Sequence, residues 1–174
     1  MTVNGRNKGA SFERQIAKQL TSWSGMEFNR TPSSGGLHWK QNSSVSGDIV
    51  APDTISFPFS IELKKQEVPW DFDFLLKGTS VIWSFWEQCE KDASSQGKMP
   101  LLIFGKNRRF VYFMMRKLEF SNLMGPIKYK HTDTPYLEIN YKKNSFVVAD
   151  FSRFLELYSL QDVLVLPGSY KSKK

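Results

Sequence analysis

Residues 47–65 read Gly47-Asp48-Ile49-Val50-Ala51-Pro52-Asp53-Thr54-Ile55-Ser56-Phe57-Pro58-Phe59-Ser60-Ile61-Glu62-Leu63-Lys64-Lys65, and the fold turns on this stretch. Ile49 to Ala51 and Phe57 to Lys64 have the composition of two strands, joined through the turn-forming pair Pro52-Asp53. Side chains alternate along a strand, so Phe57, Phe59, Ile61 and Leu63 fall on one face while Glu62 and Lys64 share the other. An acid at the start of one strand and Glu-x-Lys on the next are groups that adjacent strands can bring together. Asp48, Glu62 and the carbonyl of Leu63 then offer hard oxygen ligands, which suit magnesium or manganese better than zinc. Lys64 beside them can orient or help deprotonate an attacking water, or stabilise charge on a phosphate. Taken alone, the same triplet also describes an ordinary solvated strand, so the rest of the chain decides between the two.

Upstream, Phe12, Ile16, Leu20 and Trp23 recur at helical spacing and predict an amphipathic helix over Ala10 to Trp23, with Gly25 as its stop. Glu27 to Thr31 predicts a short strand. Pro32 to Ser46, rich in Ser, Gly and Asn, predicts a loop long enough to carry function. Downstream, Ile82, Phe85, Trp86, Cys89 and Ala93 predict a second helix over Val81 to Ala93, with Gly97 as its cap. Leu101 to Phe104 and Phe110 to Met115 predict a hairpin through the basic turn Gly105-Lys106-Asn107-Arg108-Arg109. Tyr136 to Asn140 and Ser145 to Val148 add two strands, and Asp150 or Ser152 caps a last helix through Tyr158.

These elements predict an α/β fold, a central mixed sheet of about five strands flanked by helices. At 174 residues the chain fits one domain, 1–174, with a motif-bearing core over about 6–115 and a C-terminal extension over 116–174. The site is expected where the Asp48 and Glu62 strands meet the first helix.

Composition narrows the chemistry. Lys and Arg number 24 against 17 Asp and Glu, a formal charge of +7 that suits an anionic partner such as nucleic acid. The one cysteine, Cys89, excludes an intramolecular disulfide and every cysteine-cluster zinc site; it lies on the apolar stripe of its helix and reads as a buried structural thiol. His38 and His131, the two histidines, are too few for a histidine-based zinc hydrolase and read as surface residues. No apolar run approaches the roughly 18 residues of a membrane span, so the expectation is an intracellular protein with no membrane partner. Trp83, Phe85 and Trp86 read as core packing, and Lys106 to Arg109, Lys128 to Lys130, Lys142-Lys143 and the terminal lysines read as solvated turns and tail or as a phosphate track.

Two further segments decide for function. Arg6-Asn7-Lys8-Gly9-Ala10-Ser11-Phe12-Glu13-Arg14 resembles the Arg-x-Lys-Gly…Glu-Arg opening of archaeal-type Holliday-junction resolvases in the PD-(D/E)XK nuclease superfamily. Arg30-Thr31-Pro32-Ser33-Ser34-Gly35 is similar to that family's Arg…Ser-Gly loop, Gly47-Asp48-Ile49-Val50-Ala51 to its Asp-Ile strand and Ile61-Glu62-Leu63-Lys64-Lys65 to its Glu-x-Lys strand, in the same order. The resemblance covers the first 65 residues and weakens through Trp86-Glu87-Gln88 and Lys98-Met99-Pro100, fading past Met115; the segment between Gly35 and Gly47 looks longer than in compact members.

The resemblance implies a restriction-endonuclease-like fold and a magnesium- or manganese-dependent endonuclease cutting DNA phosphodiesters. It implies that Asp48 and Glu62 ligate the metal with the Leu63 carbonyl, that Glu13 helps hold the metal or its water, and that Lys64 is catalytic. Arg6 and Ser34 would contact the scissile phosphate region, with Lys8, Arg30 and Lys65 also on the DNA and Gln88 approaching from the second helix. Holliday-junction resolution by a homodimer is the leading expectation, since a junction presents two symmetry-related strands; so small a chain suits a phage or mobile-element member. The alternatives are another enzyme of the superfamily, acting on branched DNA, nicking or restricting, and a catalytically silent DNA-binding module.

Overall fold

The computed structural model describes residues 5–31, 47–65, 72–125 and 135–166. The chain opens with helix α1 (Gly5–Ser24), followed by the short strands β1 (Asn29–Arg30) and β2 (Ile49–Val50), which pair antiparallel with each other. Strand β3 (Phe59–Lys65), helices α2 (Phe72–Leu76) and α3 (Ile82–Ser94), and strands β4 (Met99–Gly105) and β5 (Val111–Arg116) come next. Helix α4 (Lys117–Met124), strands β6 (Tyr136–Tyr141) and β7 (Asn144–Asp150), and helices α5 (Phe151–Leu157) and α6 (Leu160–Leu164) complete the order.

Five strands form one mixed sheet in the order β3-β4-β5-β7-β6, with β3 parallel to β4 and the other pairs antiparallel. The expected α/β architecture is present. Alternation along the strands builds two cores on the two faces. Phe59, Ile61, Leu63, Leu101, Ile103, Phe113, Met115 and Val147 pack with Phe12, Ile16 and Leu20 of α1 and with residues of α4, α5 and α6. Leu102, Phe104, Met114, Phe146 and Val148 pack against Ile82, Trp83, Phe85, Trp86 and Cys89 of α3. Each such side chain contributes roughly 1.5–3 kcal/mol of burial, which is what seats α1 and α3 on opposite faces.

Several boundaries differ from the expectations, for identifiable reasons. Helix α1 begins at Gly5, five residues before Ala10, because Arg6, Asn7 and Lys8 carry no apolar periodicity to reveal it. The predicted strand over Glu27 to Thr31 shrinks to Asn29–Arg30, and the second segment pairs with that strand, joining the main sheet's β3 only through a parallel bridge from Gly47 to Ile61. The β3 ladder starts after Pro58, which has no N–H to donate. Helix α4 is obscured in the sequence by its first turn, where Leu118 is 69% exposed and Glu119 6% exposed, although Phe120 and Leu123 are buried. Helix α6 is opened by a capping box between Ser159 and Asp162, and α5 by Asp150, whose carboxylate accepts the N–H of Ser152 and of Arg153. Strand β7, Asn144–Asp150, runs between β5 and β6, so this part of the chain past 115 stands inside the sheet.

Candidate active site

Gly47 sets the geometry. Its φ is +75°, and a Cβ there would lie 2.2 Å from the Ile61 carbonyl oxygen, so only glycine lets the chain pass this close to β3. The Asp48 N–H then donates to the Ile61 carbonyl at 2.8 Å, and the Asp48 carbonyl accepts the Thr31 N–H at 2.8 Å. The Thr31 hydroxyl donates to the Gly47 carbonyl at 2.8 Å, tying the same turn from the other side. With its backbone fixed, Asp48 turns its carboxylate along the open edge of β3, where Oδ2 accepts the Leu63 N–H at 2.8 Å. The N–H and C=O of one strand residue point to the same side, so the Leu63 carbonyl faces the Asp48 side as well.

Glu62 and Lys64 alternate to the face that α3 covers. Their register partners, Leu102 and Phe104, pack there. The helix over the acid and the lysine is therefore the second predicted helix; α1, expected beside them, packs on the opposite face. Glu62 is 4% exposed, and its Oε1 lies 2.7 Å from Lys64 Nζ. Lys64 Nζ also donates to Gln88 Oε1 of α3 at 3.1 Å and sits 5.6 Å from the Phe85 ring centre. The ammonium is thus held by a carboxylate, an amide and an aromatic ring face.

Two acids are now close together in a poorly hydrated place. Burial first, then the Glu62 charge, pushes the Asp48 carboxyl up from its ordinary 3.8 to about 6; Glu13 adds to the rise, while the Leu63 N–H and the Lys64 cation oppose it. Beneath Glu62, Cys89 is 1% exposed, and burial together with the Glu62 charge raises its thiol well above the usual range. It is a neutral packing group.

Glu13 of α1 is engaged elsewhere: Arg30 Nε donates to its Oε2 at 2.9 Å, joining α1 to β1. Lys65 Nζ sits 5.3 Å from the Phe12 ring centre, and Lys8 lies exposed on α1. Arg6 lies in the first turns of α1 with its side chain outside the described residues, as are Ser34, His38, His131, Lys128 to Lys130 and the terminal lysines. Sequence reasoning missed Thr31 as the brace of Gly47 and Phe85 as the floor under Lys64. The first is a side-chain to backbone bond across 16 residues, which no periodicity marks.

The donor set fits a hard divalent cation. Among the described residues no three of His, Cys, Asp and Glu form a metal-holding group, so Asp48 and Glu62 would be joined by the Leu63 carbonyl and water. Magnesium, which keeps several waters, tolerates so few protein ligands. The elevated Asp48 carboxyl marks a place short of positive charge, which a cation would supply.

A family model described as "Phage putative PDDEXK endonuclease" matches residues 4–164 of the chain. The chain is also 28% identical over 174 aligned positions to "Protein D14" of Escherichia phage T5, covering 94% of this chain and 99% of that protein. No solved structure matches at a significant level. Among the described residues no helix is long and apolar enough to cross a membrane.

Proposed function

Because the chain belongs to this phage PDDEXK endonuclease family, we propose that it is a divalent-metal nuclease acting on DNA, that its site is the Asp48, Glu62 and Lys64 cluster and that its substrate is branched DNA, foremost a four-way junction. The observation that carries the site is the clamp of the Asp48 carboxylate on the Leu63 N–H beside the buried Glu62. Asp48, Glu62 and the Leu63 carbonyl would hold magnesium or manganese. The ion supplies Lewis acidity toward a phosphate oxygen and lowers the pKa of its bound water.

The chain's own residues do the rest. Lys64, fixed by Glu62 and Gln88, presents its ammonium where a water or a phosphate oxygen would sit, stabilising negative charge as it develops. Gln88 positions Lys64. Arg30 fixes the Glu13 carboxylate at the margin of the site, close enough to Asp48 for its charge to be felt, where it would hold a water of the metal. Arg6, Lys8, Ser34 and Lys65 would meet the DNA backbone.

Junction preference follows from symmetry. One chain carries one such cluster, so paired cuts on opposing strands need two copies in a symmetric dimer. Residues 116–174 belong to this same nuclease unit, a reading supported by β7 lying between β5 and β6. The test is purified protein with magnesium on four-way junction, flap, nicked and linear duplex DNA at equal concentration, alongside its solution mass. Paired nicks on the junction by a dimer support the reading. A monomer cutting linear duplex as fast would overturn the junction assignment and leave the nuclease.

A further inference from the structure

The β4–β5 turn, residues 106–110, reads Lys106-Asn107-Arg108-Arg109-Phe110, three cations and an aromatic ring with no acid among them. Phe110 is 71% exposed, and Arg108 and Arg109 are exposed beside it. A lone exposed apolar side chain is ordinary; the basic company of this one is not. Arg108 adopts φ 57°, as Lys142 and Lys143 adopt positive φ in the β6–β7 turn, a left-handed position that Gly or Asn takes at less cost.

The register says where the turn stands. Lys65 is opposite Gly105 and Gly105 is opposite Val111, so the turn emerges beside the end of β3 that carries Lys64. At about 3.3 Å per residue and 4.8 Å per strand, its tip is on the order of 10 Å from Lys64, a span of a few nucleotides along one DNA strand. Basic side chains alone would bind any polyanion. A ring presented among them adds a surface on which a base can stack, provided that base is not already paired and stacked in a duplex.

We propose that the β4–β5 turn grips the DNA strand next to the scissile phosphate, with Arg108 and Arg109 on its phosphates and the Phe110 ring stacked on an unpaired base. The inference rests on the nuclease reading for its placement and deepens it: the turn selects DNA with unpaired bases near the cut, as at flaps, gaps and branch points whose pairs have opened.

The test uses the full chain without divalent metal, measuring binding by anisotropy to a gapped oligonucleotide carrying 2-aminopurine in the gap and to a fully paired duplex of the same length. Phe110→Ala should weaken binding to the gapped DNA about tenfold, abolish the change in 2-aminopurine fluorescence, and leave duplex binding within about twofold. Arg109→Ala should weaken both DNAs alike and lower the salt slope by about one. Arg108→Gly should do the same while raising the melting temperature, since it relieves the left-handed strain. Phe110→Ala binding both DNAs like wild type, or losing both equally, overturns the stacking; unchanged binding in the arginine variants overturns the grip. Wild-type protein that binds and shows these effects but fails to cut with magnesium would sink the nuclease reading and leave the grip standing. Failure to bind either DNA would sink both.

Discussion

Asp48→Asn should make the metal-free protein more stable while removing its activity. In the folded chain the Asp48 carboxyl titrates at about 6 against an ordinary 3.8, so the native state binds this proton more tightly than the unfolded chain does. Wild-type stability therefore falls as pH rises from about 4 to about 6 and stays at its lower value above. The loss is a little over two pKa units at 1.36 kcal/mol each, or about 3 kcal/mol at pH 8. Asparagine keeps the shape and can still accept the Leu63 N–H through its amide oxygen, but it brings no charge into the pocket beside Glu62. For a chain of this size, about 3 kcal/mol corresponds to a melting temperature higher by roughly 6–12 °C. The assay is thermal unfolding of both proteins in chelator across pH 4 to 8. The gain should be small near pH 4 and full by pH 7, and magnesium should raise the melting temperature of wild type only. An Asp48→Asn protein melting at or below wild type in chelator at pH 8 would refute the reasoning.

Three further outcomes follow from the same geometry. Gly47→Ala puts a Cβ against the Ile61 carbonyl at 2.2 Å, and should cost about 2–4 kcal/mol in urea unfolding through backbone strain and the lost Asp48 N–H bond; an unchanged midpoint would contradict it. Lys64→Met leaves Glu62, 4% exposed, without its cation and should destabilise by about 3 kcal/mol, whereas adding Glu62→Gln should recover most of that. If the double variant were no more stable than Lys64→Met, the buried pair would not be the cause. Magnesium and manganese should support cleavage while calcium supports DNA binding without efficient turnover, because calcium takes looser, higher coordination and activates water less; equal turnover with calcium would count against the proposed site.

Much of the site's scaffold was legible because it obeys local periodicity. The two-residue alternation placed Ile61 and Leu63 in one core and Glu62 and Lys64 on the other face. Gly25 and Gly97 stop their helices in the left-handed conformation only glycine takes freely. Capping by Asp150 was equally local. What escaped was what sequence distance hides: the Arg30 to Glu13 pair spans 17 residues, and the departure of β2 from the main sheet depends on Gly47 passing β3. Helix α4 escaped because in its first turn Leu118 faces water and Glu119 the interior, which masks the ordinary burial of Phe120 and Leu123. The position of β7 between β5 and β6 is set by tertiary packing, on which local patterns are silent. The predicted phosphate contact of Ser34 lies outside the described residues.

Whether Asp48 and Glu62 form the metal site of a DNA endonuclease is decided by cleavage with Glu62→Gln beside wild type. With magnesium and junction DNA, wild type should nick the strands and stop in excess chelator, while Glu62→Gln should bind the same DNA with near-normal affinity and cut at no detectable rate. Near-normal turnover by Glu62→Gln, or full wild-type activity in chelator, would contradict the account.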